Sequence, residues 1–306
     1  MKVMLVNHYQ KGCGVYQYGN RLFETLCTSN EEQFYLIETQ SQEFFLKELI
    51  YYKPDVVIYN FNRITAGWVT PDITNTVNAK QVYVYHDAGL PMHLKHDAFL
   101  MTDMTSNEQA MQFALPRPMP HAAVNDQPTN NDVINIGSFG LAFHHKGFNQ
   151  LCSLVQDQYD KAVINLHMTR SEFIDHDGRL LRSVVDSCYA EIKKPGIKLN
   201  INTDFYTDQQ LINFLCGNDI NVFTYHPLPG NGLSSVIDYM PKTTSPFAVN
   251  SSDMFRHING RFPEINCDNN SLERIMQQGT RVNDILRSEW SEESVCSVVN
   301  RVLEAL

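Results

Sequence analysis

The sequence predicts an α/β protein made of two Rossmann-like domains, each with a parallel sheet that is covered by helices. Short apolar runs alternate with stretches of helical periodicity, which is the pattern of strand–helix–strand units. This alternation stops at residues 116–131, which contain four prolines and several polar residues, and then starts again. A chain of 306 residues also has about the right length for two domains.

We therefore predict an N-terminal domain over residues 1–120 and a C-terminal domain over residues 131–290, joined by a linker within residues 116–131. A last amphipathic helix over residues 291–306 is expected to pack back toward the N-terminal domain. Parallel sheets of this kind bind ligands outside the carboxyl ends of their strands. We therefore expect a central cleft between the domains, lined by the loops that follow strands.

The individual elements follow from the length and spacing of the apolar runs. In the first half, strands are predicted at residues 3–6, 34–37, 55–59 and 81–85, and helices at 15–28 and 44–51. In the second half, strands are predicted at residues 133–136, 162–166, 198–201, 221–225 and 246–249, and helices at 148–156 and 208–216. Residues 137–140, with the sequence Gly-Ser-Phe-Gly, are expected to form a loop.

Composition and charge exclude several classes of protein. Hydrophobic residues make up 43% and charged residues 19% of the chain, which is typical of a globular protein. The net charge is -10 and each half is acidic, so neither half is a general nucleic-acid binder. No apolar run approaches the roughly 20 residues that a membrane span needs, and the N-terminal run suits a strand better than a secretory signal.

The seven cysteines are scattered, odd in number and without C-x-x-C spacing. This favours reduced thiols in a cytoplasmic protein and disfavours structural zinc. The adjacent His144 and His145 lack a supporting acidic cluster, and the segment 175–177 (Asp-His-Asp) lies between a strand and a helix of the second half rather than after a strand of the first. We interpret these residues and His93-x-x-His96 as surface or turn residues. We therefore expect no metal site.

The most informative segment is the glycine-containing loop over residues 229–235, between a predicted strand and a stretch that turns helical at Leu233. Glycines before a helix let backbone N–H groups approach an anion, and the helix dipole favours negative charge there. A phosphate or diphosphate is therefore the expected ligand of Gly230, Asn231, Gly232, Leu233, Ser234 and Ser235. The alternative is an ordinary strand–loop–helix connection.

A second loop, over residues 137–147, follows a strand and ends with Lys146 just before a helix. Lys146 would offer a point charge to a diphosphate, although a solvated lysine is the simpler interpretation. The first loop of the chain contains Gly12 and Gly14, but Gln17 stands where a dinucleotide fingerprint has its third glycine, which disfavours NAD.

Two further segments follow strands and carry side chains suited to a ligand. His86 and Asp87 directly follow the predicted strand 81–85, and the imidazole can donate to a sugar hydroxyl or transfer a proton. The alternative is a surface histidine beside a capping aspartate. Tyr206 precedes the predicted helix 208–216 and offers an aromatic face for a nucleobase, while Thr207 or Asp208 caps that helix.

The order and spacing of these motifs resemble those of the retaining GT-B glycosyltransferases of the family-four type, which use nucleotide sugars. In that family a strand leads to a Gly-rich loop with a downstream Lys-Gly pair, which matches residues 137–147. A strand, a capped helix and a strand match residues 199–222, and the next Gly-rich loop and helix match 229–237. A closing strand matches 246–250, and the resemblance is strongest over 133–258.

In the first half, His86-Asp87 and the glycine-containing residues 7–19 match elements of the family's acceptor-side domain. The resemblance implies a GT-B fold, with two Rossmann-like domains facing a central cleft. It implies transfer of a sugar, with retention of configuration, from a nucleoside-diphosphate sugar to a glycan or lipid-linked acceptor. The donor is a substrate and no separate cofactor or metal is implied; UDP and GDP both stay open.

The resemblance also assigns residues. His86 and Asp87 would lie on the catalytic side. The nucleotide sugar would be bound by Gly12, Gly14, Gly137, Ser138, Lys146, Tyr206, Gly230, Asn231, Gly232, Leu233, Ser234, Ser235 and Asp238.

Three positions depart from the family pattern. Pro229 stands where the family has the carboxylate that touches the donor sugar, and Ser138 stands where it has an arginine. The carboxylate that holds the ribose falls on Ile237, so Asp238, one residue later, is expected to take that role. Two alternatives therefore stay open, which are a transferase acting on modified DNA bases and a catalytically silent nucleotide-sugar-binding protein.

Overall fold

A computed structural model describes residues 1–29, 32–87, 90–105, 110–124, 133–172, 174–228 and 232–306, which divide into two compact units. Unit 1 comprises Met1–Met119, Glu289–Leu306 and a short segment that includes Gly232 and Leu233. Unit 2 comprises the described residues of Pro120–Pro229 and Ser234–Ser288. Each unit contains one sheet of parallel strands, so the predicted α/β class with two parallel-sheet domains is confirmed.

The strands of unit 1 are β1 (Lys2–Asn7), β2 (Gln33–Glu38), β3 (Val56–Phe61), β4 (Lys80–Tyr85), β5 (Ala98–Met101) and β6 (Gln112–Ala114). They pair in the order β2-β1-β3-β4-β5-β6, and every pair is parallel. The helices before β4 are α1 (Gly14–Ser29), α2 (Gln42–Tyr52) and α3 (Pro71–Thr76).

Both faces of the unit 1 sheet are covered, which explains why its strands are apolar at almost every position. On one face, Val3 and Leu5 of β1 pack with Leu22 of α1 and with Val299 of the last helix, Glu292–Ala305. On the other face, Met4 packs in a cluster with Phe45 of α2. The last helix therefore contributes to the core of unit 1.

The strands of unit 2 are β7 (Asn135–Leu141), β8 (Ala162–Thr169), β9 (Ile197–Asn202), β10 (Ile220–Phe223) and β11 (Phe247–Val249). They pair in the order β11-β10-β7-β8-β9, again all parallel. The remaining α-helices of the described residues are α4 (Phe148–Gln158), α5 (Arg179–Glu191), α6 (Asp208–Cys216), α7 (Arg256–Asn259), α8 (Leu272–Met276), α9 (Arg281–Glu289) and α10 (Glu292–Ala305). Two 3₁₀ helices, His144–Lys146 and Ser235–Lys242, matter for the site below.

The long apolar and periodic elements occur where the sequence predicts them, but two local predictions are wrong. Residues 137–140 are not a loop, because β7 continues to Leu141. The predicted strand 221–225 ends earlier, at Phe223, so Tyr225 lies in the loop after β10. The short elements α3, β5 and β6 and the helix α5 were not predicted. Of the predicted linker, residues 125–131 lie outside the described part of the chain.

No helix within the described ranges combines the length and the apolar composition that crossing a bilayer requires.

Candidate active site

Three polar side chains meet beyond the carboxyl ends of two neighbouring strands of unit 2. Lys146 follows β7, and Tyr225 follows β10, which is its parallel neighbour. Lys146 Nζ donates to Tyr225 Oη at 2.9 Å and lies 4.1 Å from the centroid of the same ring. Ser234 Oγ donates to the same phenol oxygen at 3.1 Å. We call Lys146, Tyr225 and Ser234 the cationic cluster.

The cationic cluster lies at the start of the 3₁₀ helix Ser235–Lys242, for which Ser234 is the N-cap residue. The Ser234 side chain makes no capping bond to this helix, because its hydroxyl points to Tyr225 instead. Its backbone N–H donates to Met254 O at 3.1 Å. The first N–H groups of the helix are therefore not capped by Ser234, and such a helix end attracts an anion.

Two glycines shape the backbone around the cationic cluster. Gly147 has a φ of +64°, and a Cβ there would come 1.7 Å from Thr224 O. Thr224 Oγ1 in turn donates to Gly147 O at 2.8 Å, so the loop carrying Lys146 is fastened to the end of β10. Gly140 has a φ of +152°, and a Cβ there would lie 3.8 Å from Tyr225 Oη. Only glycine fits both the backbone conformation and the close approach at Gly147.

Gly137 and Ser138 lie inside β7, where other side chains pack closely around them. A Cβ on Gly137 would come 2.2 Å from Asn218 Nδ2 and 2.4 Å from Asn221 Oδ1. These two buried amides are hydrogen-bonded to each other at 3.2 Å. The glycine therefore makes room for an amide pair, and Ser138 is itself only 3% exposed. Their contacts with a nucleotide stay a prediction.

The region predicted to hold a nucleobase carries a stacked aromatic pair. The rings of Tyr206 and His167 lie 4.0 Å apart with an angle of 9° between them, so one face of Tyr206 is covered by His167. Burial lowers the pKa of His167. Thr207 caps α6 and forms a capping box with Gln210, which confirms the predicted helix cap.

Asp238 lies within the 3₁₀ helix Ser235–Lys242 and is completely buried. A ribose contact, as predicted for this carboxylate, would require its oxygens to become accessible. Gly230 and Asn231, together with Pro229, lie outside the described residues. Leu233 precedes Ser234 in the described part of the same loop, and Ser235 follows it as the first residue of the 3₁₀ helix.

In unit 1, His86 follows β4 at the carboxyl end of the sheet, and its partner is an amide from the neighbouring strand. His86 Nε2 lies 2.6 Å from Asn60 Oδ1 at the end of β3. Asn60 Nδ2 donates to Val15 O at 2.7 Å and to Asn7 Oδ1 at 2.9 Å. A Cβ on Gly19 would come 2.4 Å from Asn60 Nδ2, so this glycine lets α1 approach the amides. We call Asn7, Asn60 and His86 the amide–histidine chain.

The amide–histidine chain fixes the tautomer of His86. Because Val15 offers only a carbonyl, Asn60 must turn its NH₂ group there and its oxygen toward His86. His86 Nε2 therefore carries the proton, and Nδ1 is left as an acceptor. Burial, with Arg117 and His8 nearby, lowers the pKa of His86 to about 3, so the ring stays neutral at physiological pH. The ring is a weak base whose Nδ1 can accept a hydrogen bond, whereas the sequence suggested a donor to a sugar hydroxyl or a proton-transfer group.

Among the described residues, the hydrogen-bond partners of the Asp87 carboxylate lie in the loop after β3 and not at His86. Asp87 Oδ1 accepts from Asn62 Nδ2 at 2.6 Å, and its Oδ2 accepts from the backbone N–H of Arg63 at 2.8 Å. Both carboxylate oxygens thus hold the segment after β3. A catalytic role for Asp87 stays a prediction.

The glycines of the first loop and Gly232 have different surroundings. Gly14 is the first residue of α1, and a Cβ on Gly12 would meet no atom within 4 Å. A Cβ on Gly232 would come 1.9 Å from His86 O, so the backbone of this unit 1 residue passes close to the end of β4. Gly232 therefore has a packing reason to be glycine, whereas Gly12 has none among the described residues.

Within the described part of the chain, no group of three or more His, Cys, Asp or Glu side chains is placed to hold a metal ion. Asp175 accepts from the backbone N–H groups of Leu180 and Leu181, both at 2.9 Å, at the start of α5. The expectation that Asp175 lies on the surface is wrong, because it is only 4% exposed.

Sequence reasoning missed Tyr225 and Asn60. Both lie where a strand of a parallel sheet ends, at Phe223 in β10 and at Phe61 in β3. The rule that ligands bind at the carboxyl ends of strands could have indicated both residues. Their partners, Lys146 and His86, were identified by that same rule.

No family model and no curated protein sequence matches the chain. Solved structures do match it over nearly its full length. The Anabaena protein HepE in complex with UDP and glucose has a TM-score of 0.67, with 12% identity and 100% of both chains covered. The lipopolysaccharide outer core galactosyltransferase WaaB, in its apo form, has a TM-score of 0.60, with 10% identity and 100% of this chain and 99% of that chain covered.

A third similar structure is an alpha-glucosyltransferase in complex with UDP and a 13-mer DNA that contains a central A:G mismatch. Its TM-score is 0.55, with 11% identity and 98% of this chain and 95% of that chain covered. At identities this low, the likeness concerns the fold alone. The predicted GT-B fold of this chain is thereby confirmed.

Proposed function

We propose that this protein is a glycosyltransferase that moves a sugar from a nucleoside-diphosphate sugar, with UDP as the first nucleotide to test, to a hydroxyl acceptor. The observation that carries this proposal is the cationic cluster beside the uncapped start of the helix Ser235–Lys242. The fold supports it, since similar structures are complexes with UDP.

The cationic cluster suits the charge that develops on a departing nucleoside diphosphate. Lys146 would contribute a positive charge, and Ser234 and the first N–H groups of the helix would contribute dipoles. Donors that are held in place before the reaction stabilise a leaving group most effectively. Tyr225 would hold the lysine and the serine ready by accepting a hydrogen bond from each.

His86 would bind the transferred sugar, with Nδ1 accepting a hydrogen bond from a sugar hydroxyl. Because its pKa is lowered to about 3, this ring is suited to hold a sugar hydroxyl rather than to remove a proton. A hydrogen bond to the part of the donor that changes in the transition state raises the rate more than the affinity for nucleotide.

The finer features of the proposal follow from the resemblance and the sequence. We expect retention of configuration, a glycan or lipid-linked acceptor, and activity without a metal ion. Activity that is lost in EDTA and restored by Mg²⁺ or Mn²⁺ would contradict metal independence. The seven free cysteines support a reducing, cytoplasmic location.

A second candidate function is transfer to a modified DNA base, which the DNA-bound alpha-glucosyltransferase complex favours. The net charge of -10 disfavours it, because DNA binding depends on neutralising phosphates with Lys and Arg. Transfer to a DNA duplex whose modified bases carry a hydroxyl group, but not to free sugars, would select this candidate.

The test starts with a thermal-shift screen against UDP, GDP and ADP, because a ligand that binds only the folded state raises the melting temperature. The nucleotide that binds is then supplied as its glucose or galactose conjugate, with neutral sugars, lipid-linked sugars and DNA as acceptors. Release of nucleoside diphosphate together with a glycosylated product is the expected result. Binding without transfer or donor hydrolysis would indicate a silent binding protein, and no nucleotide binding would overturn the proposal.

A further inference from the structure

Two residues that line a small pocket in unit 1 each have a buried polar atom that lacks a hydrogen-bond partner among the described residues. These atoms are His8 Nε2 and Thr65 Oγ1. The pocket has a volume of about 210 Å³ including its mouth, and its enclosed part takes a group the size of a water molecule or a hydroxyl. Asn60, which bonds to His86, also lines it. A buried polar group without a hydrogen-bond partner costs free energy, so a ligand group that pairs with both atoms would be stabilised here.

The structure fixes the chemistry that His8 presents to the pocket. His8 is 3% exposed, and its Nδ1 accepts from the backbone N–H of Gln10 at 3.3 Å. The ring proton therefore lies on Nε2, which is the atom without a partner among the described residues. Burial lowers the pKa of His8 to about 4, so the ring is neutral at physiological pH. It offers an N–H donor without a positive charge.

The two threonines that line the pocket differ in whether their hydroxyl already has hydrogen-bond partners. Thr39 Oγ1 already donates to Ser41 O at 3.3 Å and accepts from Ser41 N at 2.9 Å. Thr65 is 9% exposed, and its hydroxyl has no partner among the described residues. Only Thr65 therefore offers a hydroxyl that can give and accept a new hydrogen bond.

The walls of the pocket select a neutral occupant. Its lining residues include no lysine, arginine, aspartate or glutamate, and His8 is uncharged. An anion would find no cation and a cation would find no carboxylate. Trp68 adds an apolar side chain to the lining.

We propose that this pocket binds a hydroxyl group of a neutral sugar acceptor, with His8 Nε2–H donating to its oxygen and Thr65 as the second partner. This inference rests on the proposed function, since it names the acceptor class of that transferase. It restricts the acceptor to one whose inserted group carries no phosphate or carboxylate.

The test is an NMR titration of the His8 side chain with D-glucose, D-galactose, D-mannose and N-acetyl-D-glucosamine, each at millimolar concentration. At least one sugar should shift the His8 Nε2–H resonance saturably. Thr65→Val should raise its dissociation constant roughly threefold to tenfold, which is the effect of losing one neutral hydrogen bond. Thr39→Val is the matched control and should leave the sugar affinity unchanged while lowering the melting temperature.

UDP binding measured on the same samples separates failure of this inference from failure of the proposed function. If UDP binds but none of the four sugars shifts His8, or if both threonine variants weaken sugar binding equally, the pocket inference is overturned. The same holds if Thr65→Val only lowers stability, because the occupant is then a structural water. If a sugar binds at His8 and none of UDP, GDP and ADP binds, the pocket stands and the proposed function fails.

Discussion

The cationic cluster of unit 2 and the amide–histidine chain of unit 1 both lie where parallel strands end, yet they present opposite chemistry. Lys146 brings a formal charge beside a helix start that its N-cap residue does not cap. Asn7, Asn60 and His86 bring neutral groups whose donors and acceptors are ordered by two backbone carbonyls, those of Tyr16 and Val15.

This difference teaches that the same edge of two similar sheets can be specialised by side chains alone. A charged cluster recognises an anion at long range, whereas a fixed neutral chain recognises hydroxyl groups by hydrogen-bond direction. We therefore expect substitutions in unit 2 to change nucleotide affinity, and substitutions in unit 1 to change transfer.

The largest effect is expected from a substitution that distorts the backbone supporting the cationic cluster. Gly147→Ala places a Cβ 1.7 Å from Thr224 O at a φ of +64°. Strain and overpacking together should lower the free energy of unfolding by about 2–5 kcal/mol in chemical denaturation. Gly12→Ala is the control, because a Cβ there meets no atom within 4 Å. Equal stability of the two variants would contradict this account of the loop.

Gly19→Ala should break the amide–histidine chain with a smaller effect. The new Cβ would come 2.4 Å from Asn60 Nδ2 and 2.8 Å from Asn7 Cγ, so the two amides must shift. We expect a loss of about 1–3 kcal/mol in unfolding free energy. The informative readout is the His86 Nε2–H resonance in NMR, which should move or vanish. A stable variant with an unchanged resonance would show that Asn60 does not fix the tautomer.

His86→Ala should lower kcat by about tenfold, the value of one hydrogen bond to the reacting sugar, and leave UDP affinity nearly unchanged. His93→Ala is the matched control, since His93 is exposed in the same unit. If His86 only packs the strand end, the variant would instead melt earlier and keep its activity per folded molecule.

The smallest expected effect near neutral pH is acid sensitivity from the neutral histidines of unit 1, and this effect grows as the pH falls. Burial lowers the pKa of His8 to about 4 and that of His86 to about 3, whereas both are near 6.5 in an unfolded chain. The unfolded state therefore binds more protons below pH 6.5, and stability should fall as the pH drops from 6.5 toward 4. In denaturation series across this range, His8→Gln should flatten the slope. A slope as steep as that of the wild type would show that His8 does not contribute to the acid sensitivity.

Much of the fold could be predicted from the sequence because strands covered on both faces are nearly continuous apolar runs, as in β1 and β3. The strands β5 and β6 are short, so they gave no comparable signal. The glycines of β7 suggested a loop. Gly137 is instead glycine because the amides of Asn218 and Asn221 pack against its backbone, and these residues lie about 80 positions away in sequence.

The candidate site was predicted in part for a similar reason. Lys146 and His86 follow strands, so the topology rule indicates them. The hydrogen bond from His86 to Asn60 and the loop anchored by Asp87 involve residues about 25 positions earlier, and no local pattern encodes such contacts. Hydrogen-bond direction at His86 depends on the carbonyl of Val15, which only the folded chain brings near.

The central claim is that the cationic cluster binds a nucleoside diphosphate, and calorimetry with UDP tests it most directly. Lys146→Ala should weaken binding by about 1.5–3 kcal/mol, as expected for a charge-assisted contact, and Tyr225→Phe by about 0.5–1.5 kcal/mol. Lys198→Ala, an exposed lysine of β9 in the same unit, should change nothing. Wild-type affinity in the Lys146→Ala protein, or an equal loss in Lys198→Ala, would contradict the account.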